Sequence, residues 1–464
     1  MEAQDYDAFL DAKRAIVPPA GFEPGAINGK LYPFQRDIVA WACRKGKACI
    51  FADCGMGKTA MQLEWADQVC RHVGGGMVLI VAPLAVSAQT VREGRKFGIE
   101  VNQCREACEM VSGINITNYE KLHKFDGVDV DGVVLDESSI LKSYSGKVRN
   151  QIIDMFKATP FKLACTATPA PNDYMELGNH AEFVSAMSRT EMLATFFMHD
   201  GGNTSKWRLK GHAEVKFFEW VASWACCITN PSDLGYDGSA FVLPDLNIVE
   251  IVTKSDNIED DSGQMLLFAE TVQTLNERRA ARRNSMEDRV RAAADIANST
   301  NEQVLVWCDL NAESEALTDA INGAVEVRGS QTPEYKEQAM NGFTDGTNRV
   351  LVSKPSIAGW GMNWQQCNTM IFVGLSDSFE AYYQAVRRCW RFGQKRPVTV
   401  YIIISEAEGC VKQNIERKQA DAQRMTRELV KFTKDILSAE IRHTSRMTEN
   451  YITVERMEMP AWIA

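Results

Sequence analysis

Short apolar runs alternate with longer mixed segments along both halves of the chain. In the first half the runs are ACIFAD, MVLIVAP, INITN, VVLDE and FKLACTAT, and in the second half they are VLVWCD, VEVRG, RVLVSKP, TMIFVG and VTVYIII. Runs this short and this apolar are typical of strands buried on both faces. Strands separated by helical segments predict parallel sheets covered by helices on both sides. The pattern therefore predicts an α/β protein with two such sheets in tandem.

The segment between the two halves, from Tyr174 to about Thr300, is less regular. Its aromatic residues Trp207, Trp220 and Trp224 could either pack in a core or stack on nucleic-acid bases. The polar run KSDNIEDDSG from Lys254 predicts a flexible connection, followed by a helix over residues 265–297.

The segment FADCGMGKTA follows the first apolar run and has the pattern of a phosphate-binding loop. Small residues such as Gly55 and Gly57 let backbone N–H groups approach phosphates, Lys58 supplies positive charge and Thr59 supplies a hydroxyl for Mg²⁺. Ala52 stands where the usual pattern has its first Gly. We call residues 52–59 the phosphate loop and predict a nucleotide site there.

Two further motifs carry charge. Asp136 and Glu137 end the apolar run GVVL, so a buried strand would deliver one acid for Mg²⁺ and one to polarise water; alternatively, the pair opens an ordinary helix. Arg388 and Arg391, three residues apart, would share one face if the segment is helical and could stabilise charge on a γ-phosphate; alternatively, they lie on a solvated basic helix. We call Gln384–Gln394, with the sequence QAVRRCWRFGQ, the arginine segment.

The order of these motifs resembles superfamily 2 helicases. Within them it is similar to the Swi/Snf-like DNA translocases, the chromatin-remodelling motors and their smaller prokaryotic and viral relatives. The resemblance covers nearly the whole chain and rests on these pieces, in order: LYPFQRDIVAW, DCGMGKT, VLIVAPLAV, ITNYEKL, LDESSILKS, ACTATPAPND, VLVWCD, VRGSQTPEYKEQAMNGF, AGWGMN and the arginine segment.

The resemblance implies a role for each matching position. Lys58 and Thr59 would bind the ATP phosphates and Mg²⁺, Asp136 would complete the Mg²⁺ site, and Glu137 would activate the attacking water. The remaining implied roles are adenine recognition by Gln35, coupling of nucleotide state to domain closure by Thr166 and Thr168, a motif near nucleotide and strand at Gly359, Gly361 and Asn363, arginine fingers at Arg388 and Arg391, and the limits of the sixth motif at Gln384 and Gln394.

Some positions depart from the family pattern. Ser138 and Ser139 replace a small residue and a His that normally help link the two halves, which puts coupling in doubt more than hydrolysis. Trp360 and Trp390 stand where the family often has Leu and His, and both are read as packing choices.

The resemblance implies two RecA-like lobes in tandem, with a helical insertion between the third and fourth motifs. We expect a first, ATP-binding lobe over residues 1–252 with helical additions at about 174–235. A linker and connecting helix would occupy 253–300. A second lobe with a C-terminal helical segment would occupy 301–464.

Composition agrees with a folded protein of two or three domains. The chain has 464 residues, of which 45% are hydrophobic and 24% charged. No apolar run approaches membrane-spanning length, and the N-terminus MEAQDYDAFL is acidic rather than a basic leader. We therefore expect a cytoplasmic location, nucleoid-associated or in a host cytoplasm, and no membrane partner. The thirteen Cys residues show no paired C-x-x-C spacing, which favours buried free thiols over a zinc site.

The net charge of −10 argues against a protein that coats nucleic acid indiscriminately. Local clusters could still form a binding groove or be solvated helix faces. They lie at 278–283, at 387–396 and along the C-terminal segment at Lys412, Arg417, Lys418, Arg424, Arg427, Lys431 and Lys434.

These observations predict a DNA-stimulated ATPase that uses ATP and Mg²⁺ to move along DNA. Duplex DNA is favoured as the track, although single-stranded DNA is open, and a protein partner could supply targeting. The alternatives are an RNA helicase and a nucleotide-gated scaffold that holds DNA without cycling.

Overall fold

The computed structural model describes residues 17–84, 86–142, 146–170, 173–200, 203–253, 285–359, 362–376, 378–405 and 409–441. Gly361, Trp360 and the basic cluster at 278–283 lie outside the described residues, as do residues 254–284 of the predicted linker.

Two parallel sheets organise the chain. The first has seven strands in the order β3-β4-β2-β5-β6-β1-β9. Its strands are β1 Lys47–Ala52, β2 Met77–Ala82, β3 Val101–Gln103, β4 Gly113–Asn118, β5 Gly132–Asp136, β6 Phe161–Thr166 and β9 Ala225–Ile228. A separate antiparallel hairpin pairs β7 Phe197–Asp200 with β8 Asn203–Leu209.

The second sheet has six strands in the order β10-β15-β14-β11-β13-β12. They are β10 Leu246–Thr253, β11 Val304–Trp307, β12 Ala324–Val327, β13 Val350–Ser353, β14 Thr369–Val373 and β15 Val398–Ser405. Each apolar run singled out in the sequence forms a strand, and every pairing within the two sheets is parallel. The predicted fold class, two parallel α/β lobes in tandem, is confirmed.

Helices cover both faces of each sheet. Those before β10 are α1 Pro33–Lys45, α2 Lys58–His72, α3 Ser87–Phe97, α4 Lys147–Met155, α5 Leu177–Phe183, α6 Arg189–Phe196 and α7 Glu214–Ala222. Those after it are α8 Met286–Asn298, α9 Asn311–Ala320, α10 Pro333–Thr344, α11 Pro355–Ala358, α12 Phe379–Val386 and α13 Gly409–Ile441. Each sheet separates two hydrophobic clusters, one on each face.

The boundary between the lobes falls earlier than the sequence predicts. Strand β10 pairs with β15 over its full length, from Leu246↔Val398 to Thr253↔Ser405, so it belongs to the second sheet. The predicted end of the first lobe at residue 252 is therefore wrong by one strand. The β10 sequence LNIVEIVT is rich in apolar residues, but that pattern does not show which of the two sheets the strand joins, and most of its side chains are exposed on this sheet edge.

The insertion after β6 combines helices α5 to α7 with the β7–β8 hairpin. Trp220 and Trp224 are 1% and 0% exposed, and their ring centroids lie 5.3 Å apart. The core alternative is thus confirmed for these two residues. Trp207, on the hairpin, is half-buried and packs 3.7 Å from the ring of His199.

The long helix α13 connects the two lobes. Its residue Ile415 packs in the second-lobe core, whereas Met425, Leu429 and Leu437 pack in the cores of the first lobe. Near its C-terminal end, Glu440 Oε2 accepts a hydrogen bond of 2.9 Å from Trp41 Nε1. Among the cationic side chains of this helix that were weighed as nucleic-acid ligands, Lys418 is half-buried, and Arg417, Arg424, Arg427, Lys431 and Lys434 are exposed; the side chain of Lys412 is not among those described.

Every described Cys is a free thiol, and Cys108 is the exposed one among them. No described helix combines the length and the apolar character that crossing a bilayer requires.

Candidate nucleotide site

The phosphate loop leaves β1 and enters α2. Gly55 and Gly57 have φ of 90° and 80°, in the left-handed region that side chains rarely adopt. Gly57 is the N-cap of α2, so the first N–H groups of a fifteen-residue helix face the loop. A helix N-terminus of this kind favours an anion. The local sequence therefore forms a glycine loop that ends at a helix N-terminus, the backbone geometry that a phosphate-binding loop requires.

The two polar residues of the loop sit at the start of α2. Lys58 Nζ donates hydrogen bonds to the carbonyl oxygens of Ala52, at 2.9 Å, and Asp53, at 3.5 Å. Thr59 is half-buried in the first turn of the helix. The Lys58 ammonium is thus held inside the curve of the loop, where a polyphosphate would lie.

Gln35 from α1 closes the other side of the loop. Its Nε2 donates to the Met56 carbonyl at 2.9 Å, and its Oε1 accepts from the Tyr32 N–H at 3.0 Å. A Cβ on Gly57 would collide with the Gln35 amide. Gln35 therefore lies against the phosphate loop.

The paired carboxylates lie at the carboxyl end of β5. The sheet order puts β6 between β5 and β1, so Asp136 is one strand away from the phosphate loop. Gln62 of α2 donates to Asp136 Oδ1 at 2.7 Å, and the Glu137 N–H donates to the same oxygen at 3.1 Å. The pair thus faces the helix that carries Lys58 and Thr59.

Glu137 is held in a strained and buried position. Its φ is 52°, which is unusual for a residue with a side chain, and its Oε2 has no hydrogen-bond partner among the described residues. Burial raises the pKa of both Asp136 and Glu137, while the charges of Lys58 and Arg388 oppose that rise. A buried carboxylate oxygen with a raised pKa is suited to accept a proton from water.

Arg388 and Arg391 belong to the second lobe and lie in a turn after α12 ends at Val386, so they do not share a helical face; Arg388 is buried and Arg391 is half-buried. Arg388 donates to the Gln384 carbonyl at 2.8 Å, to Gln384 Oε1 at 2.9 Å and to the Met362 carbonyl at 3.1 Å. Arg391 donates to the Met362 carbonyl at 3.2 Å, and its Nε lacks a partner among the described residues. Burial and the neighbouring charge of Arg388 lower the pKa of Arg391 to about 10. The solvated-helix alternative is therefore wrong for these two residues.

The arginine segment docks directly on the phosphate loop. A Cβ on Gly55 would lie 2.8 Å from Phe392 Cβ and 2.9 Å from the Phe392 backbone nitrogen. Gln384 Oε1 lies 3.9 Å from Cys54 Sγ. The contact between the lobes thus brings the charges of Arg388 and Arg391, on the second lobe, near Glu137 on the first lobe, where Lys58 and Asp136 also lie.

Other predicted positions have mixed surroundings. Thr166 is the last residue of β6, and its hydroxyl accepts from the N–H of Thr168, two residues beyond the strand, at 3.1 Å. Asn363 Oδ1 is buried without a partner among the described residues. Gly359 caps α11, and Gln394 Nε2 bonds the Cys367 carbonyl at 3.0 Å within the second lobe. Gly361 lies outside the described residues.

Sequence reasoning missed several interface residues. Glu380, which is 4% exposed, pairs with Lys142 and accepts from Thr168 Oγ1 at 3.4 Å, and both of these partners belong to the first lobe. Asp53 pairs with Arg387, and Tyr383 donates to Asp53 Oδ1 at 2.6 Å. A charged residue inside an otherwise apolar stretch, such as Glu380 after Phe379, was the sequence feature that could have indicated these interface residues.

The departure at Ser138 and Ser139 has a structural counterpart. Ser138 Oγ lies 3.1 Å from His180 Nε2, and burial lowers the pKa of His180 to about 4, so this His is neutral. The link between the lobes near this motif runs through Lys142 and Glu380 instead. The sequence put the link between the two lobes at Ser138 and Ser139 in doubt, and the Lys142–Glu380 ion pair joins the lobes near this position.

A cleft of about 980 Å³ opens between the lobes beside this site. It is lined on the first lobe by basic side chains including Arg92, Arg105 and Lys121, and it reaches Glu137 at its floor. On the second lobe its wall includes Glu334 and Glu337 of α10.

The donor set fits a nucleotide-bound Mg²⁺. The described residues hold no group of three or more His, Cys, Asp or Glu side chains that could bind a metal by themselves. Mg²⁺ in phosphate sites takes one or two carboxylates together with phosphate oxygens and waters. Asp136 and the Thr59 hydroxyl provide such oxygens next to the phosphate loop.

Replacing Gly55 with Ala is expected to reduce ATP binding and hydrolysis strongly. The new methyl group would need the space of Phe392, and the φ of 90° is strained for Ala. Titration of a fluorescent ATP analogue measures the loss, and Gly127→Ala is the matched control, because it also has positive φ, 79°, but no atom within 4 Å of its Cβ position. Equal effects of the two substitutions would contradict the contact.

Comparison with known protein families matches residues 288–393 to the helicase conserved C-terminal domain. This range covers most of the second sheet and the arginine segment up to Gly393. The helicase resemblance predicted from the motifs is confirmed by this match.

Curated relatives align over short stretches. The bifunctional helicase and thymine dioxygenase JBP2 of Leishmania braziliensis is 32% identical over 18% of this chain and 8% of its own length. The TATA-binding protein-associated factor mot1 of Schizosaccharomyces pombe is 30% identical over 26% of this chain and 6% of its own length. The ATP-dependent RNA helicase FAL1 of Kluyveromyces lactis is 29% identical over 21% of this chain and 25% of its own length. The chain thus spans a quarter or less of these relatives.

Among solved structures, the chain is similar to a Sulfolobus solfataricus SWI2/SNF2 ATPase core in complex with dsDNA. The sequence identity is 16%, the alignment covers 90% of this chain and 98% of the other, and the TM-score is 0.41.

Proposed function

Because residues 288–393 match the helicase conserved C-terminal domain, we propose that this chain is an ATP-driven motor that moves along nucleic acid, with duplex DNA as the favoured track. The observation that carries the proposal is the docking of the arginine segment on the phosphate loop, at the contact between Gly55 and Phe392. A nucleotide bound there would be held by both lobes at once.

The first lobe would bind the nucleotide and activate the attacking water. Lys58 and the helix N-terminus hold the phosphates, and Gln35 lies where it can read the base. Thr59 and Asp136 would hold Mg²⁺, which neutralises phosphate charge. Glu137, with its unpaired Oε2, takes the proton of the attacking water.

The second lobe would stabilise the transferred phosphoryl group. Arg388 and Arg391 offer guanidinium groups to the charge that builds on the γ-phosphate. Loss of that phosphate weakens the grip that both lobes share, so the cleft can open. Glu380, bound to Lys142 and Thr168, would carry this change between the lobes.

Nucleic acid would lie in the cleft of about 980 Å³, where Arg92, Arg105 and Lys121 can meet phosphates. Motion of one lobe past the other would then hand the strand along. We assign the first lobe to the residues before β10 and the second to those from β10 onward, with α13 joining them. The proposal includes a cytoplasmic location and a separate protein partner that supplies targeting.

An RNA helicase is the second candidate, and the similarity to FAL1, named as an ATP-dependent RNA helicase, favours considering it. A nucleotide-gated scaffold is the third. The intact set of Lys58, Glu137, Arg388 and Arg391 argues against the scaffold, since a protein that does not cycle needs no water-activating acid.

ATP hydrolysis measured side by side with duplex DNA, single-stranded DNA and RNA tests the proposal. We expect stimulation by duplex DNA to exceed that by single-stranded DNA or RNA at equal nucleotide concentration and fixed salt. Strongest stimulation by RNA would replace the proposal with the RNA helicase. Turnover that ignores all three would reject the motor, and nucleotide-dependent DNA retention without turnover would identify the scaffold.

A further inference from the structure

A buried ion pair joins the phosphate loop to the arginine segment. Arg387 Nη2 donates to Asp53 Oδ2, and the two side chains are 4% and 21% exposed. The other carboxylate oxygen, Asp53 Oδ1, accepts from the Tyr383 hydroxyl and from the Cys54 N–H, each at 2.6 Å. Asp53 is therefore bonded by both lobes.

Arg387 differs from its two neighbours in what it binds. It also donates to the Trp390 carbonyl at 3.4 Å and to the Cys54 carbonyl at 3.5 Å. Its guanidinium lies 5.0 Å from the Trp390 ring centroid and 5.6 Å from that of Tyr383. Arg388 and Arg391, in contrast, bond carbonyl groups of the second lobe. Arg387 thus grips the loop, while its neighbours face the catalytic carboxylates.

The charges around the pair explain why a carboxylate is useful inside the phosphate loop. Although burial acts to raise it, the pKa of Asp53 is lowered by the charge of Arg387 and by the hydrogen bonds from Tyr383, Arg387 and the Cys54 N–H. Asp53 is therefore ionised. Three guanidinium groups within five residues repel one another, and a fixed negative charge on the opposite lobe offsets part of that repulsion.

A buried ion pair is weak evidence of stabilisation, since the desolvation of two charges can cancel their attraction. What such a pair does provide is a fixed relative position of the two elements that carry it. Here those elements are the loop that holds Lys58 and the turn that holds Arg388 and Arg391.

We propose that Asp53 and Arg387, with Tyr383, are positioning residues that set the arginine pair Arg388 and Arg391 in register with Lys58 and Glu137 across the lobe interface. This inference rests on the proposed function. Arg387 acts through the loop and touches no phosphate; its role is to fix where its neighbours stand when the lobes close.

The test is a double-mutant cycle on the full chain. Asp53→Asn, which keeps an oxygen for Tyr383 and Cys54, and Arg387→Ala are made singly and together. We expect each single change to lower kcat for ATP, with the best nucleic-acid activator, by about ten- to a hundredfold, with KM within about threefold. The double variant should be no worse than the poorer single variant, because both remove the same contact. Arg387→Lys should recover part of the loss.

The matched control is the exposed ion pair of Asp288 and Arg291 on α8, whose side chains are 42% and 69% exposed. Asp288→Asn and Arg291→Ala should leave kcat unchanged. Multiplicative losses in the Asp53 and Arg387 double variant, unchanged kcat in either single variant, or losses in KM alone would overturn the positioning role.

A second measurement separates this inference from the proposed function. Small-angle X-ray scattering of the nucleotide-free protein should give a larger radius of gyration for Arg387→Ala than for wild type, and no change for Arg291→Ala. If wild type hydrolyses no ATP with any nucleic acid, the proposed function fails and the scattering alone decides whether the pair aligns the lobes. Equal radii for Arg387→Ala and wild type would overturn the inference.

Discussion

Glu137→Gln is expected to lower the rate of ATP hydrolysis by roughly a hundred- to ten-thousandfold while nucleotide binding is retained. The amide keeps the size of the side chain but cannot accept a proton, and Glu137 Oε2, directly after β5, is buried with no hydrogen-bond partner among the described residues. Steady-state ATPase assays give the rate, and titration with a fluorescent ATP analogue gives the affinity. Glu219→Gln, an exposed carboxylate on α7, is the control and should be neutral.

The same residue predicts a pH dependence for wild type. Burial raises the pKa of Glu137 above its ordinary value of 4.5, so the proton-accepting form is lost at a higher pH than for an exposed Glu. As pH falls through that raised pKa, kcat should fall with it. Unchanged hydrolysis in Glu137→Gln would remove the assigned role and leave the pH profile without this cause.

Arg391→Ala is expected to lower kcat by roughly a thousandfold with little change in thermal stability. Arg391 donates one hydrogen bond to the Met362 carbonyl, and its buried Nε has no partner among the described residues. Its guanidinium is therefore available to a phosphate. Differential scanning fluorimetry and ATPase assays on the same preparation separate the two quantities. Arg291→Ala, exposed on α8, should match wild type in both.

Arg388→Ala should lower both kcat and thermal stability. Arg388 makes three hydrogen bonds inside the second lobe, to the Gln384 carbonyl, Gln384 Oε1 and the Met362 carbonyl, so its removal leaves buried acceptors unpaired. A variant Arg391→Ala that lost stability as much as Arg388→Ala does, or that kept wild-type kcat, would contradict the separation of these two roles.

The lobe interface has a consistent division of labour. Contacts that join the lobes use Asp53, Glu380 and α13, whereas the residues proposed for chemistry bond within their own lobe. Such a division lets the cleft open without dismantling either half of the site. It also explains why Ser138 and Ser139 can stand in place of a linking motif.

The sequence by itself determined ten of the fifteen described strands and the local chemistry of the phosphate loop. Apolar runs of four to eight residues between helical segments are buried strands because only a parallel sheet covered on both faces removes them from water, and each of them forms one. The phosphate loop was equally readable, since its glycines, Lys58 and Thr59 are contiguous and act through local backbone geometry.

Tertiary structure alone decided what depends on distant partners. The strand β10, LNIVEIVT, is apolar in sequence but mostly exposed, and its place at the edge of the second sheet follows from pairing with β15, about 150 residues away. Likewise, Asp53 lies in the phosphate loop and Arg387 in the arginine segment, but neither motif predicts that these two residues pair. The packing of the two lobes decides that they form an ion pair, because a charge acquires its partner and its dielectric environment only when the chain has folded around it.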